Sequence, residues 1–145
     1  MSQAIRNAAM EIVIAEERAN GWAPHVIGVA ALEKHHGCDI LSTPPDGGDP
    51  HPVEVKGWGE PFLRPSGQFV YPQDLRASQM TAAQCDPRYR IELVANLTHY
   101  LAGTGPYERL TLCAEEISHA TPRLWQVDLA GKQAEIRRAQ ASAPD

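Results

Sequence analysis

Cysteine is scarce: Cys38, Cys85 and Cys113 are an odd number with no zinc-like spacing, so they read as reduced thiols rather than a disulfide framework. No run approaches the ~20 apolar residues a membrane span needs, and the N-terminus lacks the charged start and continuous apolar core of a signal peptide. A cytoplasmic protein with no membrane partner is expected. Also missing are a Gly-x-Ser-x-Gly elbow, a phosphate-cradling Gly-x-x-x-x-Gly-Lys and a dinucleotide fingerprint, which sets aside nucleophilic-serine and nucleotide-triphosphatase chemistry. The six histidines include one adjacent pair, His35 and His36, whose side chains point apart on an extended chain. The i, i+4 spacing of a two-histidine zinc site is absent. His51 stands just before a strand and reads as a loop histidine. Positive charge is short as well: 13 Lys and Arg against 18 Asp and Glu leave a net charge of -5, and no segment is a basic patch. Appreciable affinity for nucleic acid would need folding to gather Lys56, Arg64, Arg76, Arg88 and Arg90 onto one side.

What is present is one domain's worth of chain. The 145 residues, 43% of them hydrophobic, suit a single globular domain over 1–130 followed by a tail over 131–145. Ile5, Ala8, Ala9, Ile12, Ala15 and Ala19 recur at helical steps over 3–19, and Asn20-Gly21 supplies the stop. Strands are expected over 22–31, 38–43 and 52–57, then a helix over about 73–85 ended by Asp86-Pro87. A strand over 88–97 alternates Tyr89, Ile91 and Leu93 with charged residues, and further strands are expected over 109–114 and 123–129. The tail from Gly131 reads as a short helix or as disordered. No internal repeat occurs.

The chemistry concentrates in Gly37-Cys38-Asp39-Ile40 and Val53-Glu54-Val55-Lys56-Gly57. Strand alternation sets Glu54 and Lys56 on one face and Val53 and Val55 on the other. The Pro- and Gly-rich stretch between Thr43 and Pro52 can only turn, so the two strands are expected as antiparallel neighbours, with Asp39 close to Glu54. Two carboxylates with few competing partners favour a hard cation, Mg²⁺ or Mn²⁺.

Each residue also has a plainer reading. Asp39 could simply accept backbone hydrogen bonds at a strand entrance. Glu54 and Lys56 could be an exposed edge-strand pair, although Val53, Val55 and Trp58 argue for a central strand. Glu11, amid Ala8-Ala9-Met10 and Ile12-Val13-Ile14, could be half-buried, or could join Asn7 and Arg18 in a solvated stripe. Gln79 would ordinarily be a helix-surface residue, with Gln73 and Gln84 as competitors.

The order helix, strand, strand, strand, helix, strand, with Asp before Glu-x-Lys, resembles the PD-(D/E)xK nuclease superfamily. Within it the chain is similar to the domain family found at the C-terminus of the plant protein NO VEIN and in bacterial proteins beside restriction-type systems. That family's pattern is matched by Glu11, by Gly37-Cys38-Asp39-Ile40, by Glu54-Val55-Lys56-Gly57, by Gln79, and by Tyr89 opening a strand, from about residue 4 to residue 97. Cys38 stands where the family usually has an aromatic, and Gln79 where Glu is commoner. The resemblance implies an α/β fold, a small mixed sheet flanked by helices with a restriction-endonuclease-like α-β-β-β-α-β core. It implies a metal-dependent endonuclease-like phosphodiesterase acting on DNA ahead of RNA. Asp39, Glu54 and the Val55 carbonyl would hold Mg²⁺ or Mn²⁺, with Glu11 near a second metal or its water. Lys56 would position water or stabilise phosphorane charge, and Gln79 would orient Lys56 or the phosphate. Gly59 to Pro72, with Arg64 and Phe69, is the expected substrate-facing loop. The alternative is a catalytically weak or inactive nuclease-fold module for binding or assembly in a defence or repair system, with a homodimer or partner subunit supplying DNA contacts.

Overall fold

A computed structural model describes residues 2–27, 38–63, 65–66, 77–118 and 135–139. Helix α1 spans Gln3–Ala19. Its first turn is capped by Ser2, whose Oγ accepts a hydrogen bond from Ile5 N–H at 3.2 Å. Ala8, Ala9, Ile12 and Val13 form its buried stripe. Asn7, Glu11 and Arg18 are exposed, so the solvated-stripe reading describes Glu11. Gly21, at φ +85°, turns the chain out of the helix.

Six strands then form one mixed sheet in sequential order. β1 (Ala23–Val26), β2 (Ile40–Thr43) and β3 (His51–Gly57) are successive antiparallel neighbours, as expected for the last two. Residues 28–31 of the expected first strand lie outside the described residues. Helix α2 (Ala77–Cys85) carries the chain across to β4 (Arg90–Ala95), which pairs parallel with β3. The expected start of that helix, at 73, also lies outside the described residues. A short helix α3 (Leu97–Ala102), β5 (Glu108–Cys113), a further turn of helix α4 (Ala114–Ser118) and β6 (Arg137–Arg138) complete the fold. Neither α3 nor α4 is legible as a helix in the sequence, because each is short and takes its apolar anchor from the sheet. Of the tail expected to be a short helix or disordered, only residues 135–139 are among the described residues, and there Arg137 and Arg138 pair with β5. The expected strand over 123–129 lies outside the described residues.

Two apolar layers sandwich the sheet. On one face α1 and α3 bring Ala9, Val13, Leu97 and Tyr100 against Ile40, Val53 and Val94. On the other, α2 and α4 bring Met80, Ala83, Ala114 and Ile117 against Ile91, Leu93, Leu110 and Leu112. Fully burying side chains of this size contributes roughly 1.5–3 kcal/mol each. β3 therefore lies inside the sheet, and the edge-strand reading of Glu54 and Lys56 does not hold. Gly57, the last residue of β3, lies against α1. A Cβ there would stand 2.8 Å from the Ala9 Cβ and 3.2 Å from the Ile5 carbonyl oxygen.

Candidate metal centre at the β2–β3 junction

Ile40 pairs with Val53 at the start of β2, and Asp39 sits in the bend just before it. The backbone of Asp39 is held on both sides. Its N–H donates to the Val53 carbonyl at 2.8 Å, and its carbonyl accepts from Ile27 N–H at 3.0 Å. Its carboxylate is held too: Oδ2 accepts a hydrogen bond from Val55 N–H at 2.9 Å. The plainer reading of Asp39, a carboxylate accepting a backbone hydrogen bond at a strand entrance, thus describes one of its two oxygens. The same bond sets the carboxylate against the peptide that follows Glu54.

Strand register fixes the face. Glu54 lies beside Ile91 and Lys56 beside Leu93 in the parallel pair. Ile91 and Leu93 belong to the layer under α2 and α4, so Glu54 and Lys56 point there as well. Both are half-buried. Cys38 joins that layer at 3% exposure, and burial, then the negative charges of Glu54 and Asp39, push its thiol up to about 11. Ile40 pairs with Val53, so Asp39 and Glu54 are the next residues outward from that pair. Gln79 comes from α2, over the same face, and is 3% exposed, whereas Gln84 faces solvent. Gln79 is accordingly no helix-surface residue. Gln73 lies outside the described residues.

Glu11 is not brought to this group. It is exposed on α1, which covers the opposite face, and its charge acts on Tyr100, adding to burial in raising that phenol. The sequence expectation of Glu11 beside a second ion has no geometric counterpart. Nor do the named cations gather on one side. Lys56 and Arg90 lie on opposite faces of the sheet, and Arg88 pairs with Asp49 at 3.2 Å and with Asp86 at 3.2 Å. Arg64 and Arg76 lie outside the described residues. The expected substrate-facing loop is partly pinned. Glu60 accepts from Asn96 N–H, and buried Phe62 donates its N–H to Glu108 Oε1 at 2.8 Å. Arg64 and residues 67–72, including Phe69, lie outside the described residues.

Two carboxylates with a backbone carbonyl are donors of the kind that a small hard cation keeping several waters takes. Among the described residues no group of three His, Cys, Asp or Glu side chains is arranged to hold an ion.

A second charged constellation went unforeseen. On the α1 face, Glu92 at 2% exposure accepts from Arg90, from Arg109 and, at 2.7 Å, from Thr111 Oγ1. Arg90 also donates to Glu17 Oε2 at 2.8 Å, and Arg109 donates to Glu16. Ser42 donates to Glu17 at 2.7 Å. Burial raises the Glu17 carboxyl, but the hydrogen bonds from Arg90 and Ser42 outweigh it and hold the group below its usual range. Trp22 lies over the Arg90 guanidinium at 5.2 Å, and His51 meets that indole edge-on at 4.9 Å. The available signal was the register of Arg90 and Glu92 with Arg109 and Thr111 on neighbouring strands, and pairing of those strands is invisible in a single sequence.

No family model, curated protein or solved structure matches this chain. Among the described residues, no helix is long and apolar enough to cross a membrane.

Proposed function

We propose that the chain is a metal-dependent endonuclease-like phosphodiesterase of the PD-(D/E)xK type, acting on DNA ahead of RNA. The observation that carries this reading is the hydrogen bond from Val55 N–H to Asp39 Oδ2, 2.9 Å long, which sets one carboxylate against the peptide of the Glu-x-Lys segment. The element order supports it. A helix, three antiparallel strands, a crossover helix and a strand parallel to the third suit a restriction-endonuclease-like core.

In this reading Asp39, Glu54 and the Val55 carbonyl hold Mg²⁺ or Mn²⁺. The ion, when bound, polarises a phosphate and lowers the pKa of its water. Lys56, two residues along the same strand face from Glu54, orients that water or balances charge on the phosphoryl group. Gln79, buried on the helix above, restrains Lys56 or the phosphate. Glu11 takes no part.

The test is nicking of supercoiled plasmid in Mg²⁺ and in Mn²⁺. Lys56→Ala should abolish nicking with an unchanged melting temperature; nicking by that variant at the wild-type rate rules the mechanism out.

One observation favours a second reading, a nuclease-fold module that relies on a partner for DNA contacts. Among the described residues, Arg90 and Arg109 are committed to Glu16, Glu17 and Glu92, so these two cations of an acidic chain are not turned to phosphates. A stable dimer or complex, with neither metal stabilisation nor nicking, supports the module.

A further inference from the structure

We infer that Asp39 divides its two carboxylate oxygens: Oδ2 positions the Val55 peptide while the other oxygen serves the ion. This rests on the ion-site reading above and adds a positioning role to it. The β2–β3 ladder ends at the Ile40 and Val53 pair, closed by Asp39 N–H on the Val53 carbonyl at 2.8 Å. Two residues further along β3, Val55 presents its N–H to the same edge, where a continuing ladder would offer a backbone carbonyl. The Asp39 carboxylate takes that place at 2.9 Å. The N–H and C=O of one strand residue point to the same edge, so the Val55 carbonyl projects on the side where Asp39 stands. Fixing the N–H therefore fixes the direction of the carbonyl that is the third oxygen donor. The carboxylate can act as a clamp because its own backbone is tied to β3 by the Val53 bond and toward β1 by the Ile27 bond at 3.0 Å. An Asn side chain keeps an acceptor oxygen for Val55 but loses the charge; Ala loses both.

The experiment measures Val55 amide hydrogen exchange by NMR on the full chain, with EDTA and with Mg²⁺, alongside calorimetric titration with Mg²⁺. Wild type should protect Val55 in both conditions. Asp39→Asn should keep Val55 protected in EDTA while losing affinity for Mg²⁺ by roughly tenfold to a hundredfold. Asp39→Ala should speed Val55 exchange by about tenfold, with other β3 amides unchanged, and lose the same affinity. Unaltered Val55 protection in Asp39→Ala overturns the clamp. Faster Val55 exchange in wild type on adding Mg²⁺ overturns the division of oxygens, since the carboxylate would then leave the peptide to reach the ion. No Mg²⁺ binding by wild type overturns the ion-site reading itself. That failure is distinguishable, because the Asn and Ala comparison in EDTA involves no ion.

Discussion

Glu92 is the residue on which the α1 face turns. Both of its oxygens receive charged donors, and its neighbours Glu16 and Glu17 tie the same two arginines to α1. Removing one member of a buried ion pair strands its partner in a poorly solvating interior. Glu92→Ala should accordingly cost about 3–5 kcal/mol in a urea-unfolding measurement, well beyond a surface substitution. Two neighbours of this network carry its pH dependence. Burial, then the positive charges of Arg90 and Arg88, lower His51 below its ordinary 6.5. Glu17 likewise lies below its ordinary 4.5. In both cases the unfolded chain binds protons that the folded chain refuses, so stability rises with pH across each window. The melting temperature should fall as pH drops below about 6.5, and fall further once it passes below about 4.5. His51→Gln should remove the upper step, and Glu17→Gln should shrink the lower one, to which Asp86, raised by burial but held below its ordinary 3.8 by Arg88, also contributes, while reducing stability at neutral pH.

At the scale of elements, the candidate centre depends on how α1 packs on β3 and how α2 covers the opposite face of the sheet. α1 lies close enough to β3 that Gly57 admits no side chain, since the Ala9 Cβ and the Ile5 carbonyl occupy the space. Gly57→Ala should therefore destabilise the fold by about 1–3 kcal/mol through overpacking. Its check is chemical denaturation, where the midpoint should move at unchanged slope. The substitution stands one residue from Lys56, so any loss of plasmid nicking is to be compared at matched folded fraction. α2 acts on the other face. It seats Met80 and Ala83 in the apolar layer and buries Gln79 with them, which explains how a polar side chain comes to be enclosed above the Glu54 and Lys56 face.

For the molecule as a whole, charge and topology pull in different directions. The proposed phosphodiesterase centre rests on the crossover topology and the Asp39 to Val55 bond, while a net charge of -5 with buried arginines disfavours unaided DNA binding. Each phosphate neutralised contributes a slope of about 0.9 in the fall of log affinity with log salt. The isolated chain should bind duplex DNA weakly, with a slope shallower than about −3 by fluorescence anisotropy. A steeper slope would show a cationic surface that the described residues do not display.

Much of the frame was readable from local pattern. Helix α1, the turn after Thr43 and the alternation in Val53 to Lys56 each follow from periodicity and turn chemistry within a few residues of one another, whereas His51, expected in that turn as a loop histidine, opens β3 and pairs with Ser42. So does the prospect that Asp39 and Glu54 share a strand junction. Contacts between distant segments were not readable. The exposure of Glu11, the burial of Gln79, the ion chain from Glu16 through Arg109 and Glu92 to Arg90, and the return of Arg137 and Arg138 to the sheet all depend on which strands pair. Local sequence shows which side chains share a strand face; only the folded sheet decides what covers that face, and burial with its partners sets whether a charge is solvated, paired or placed for chemistry.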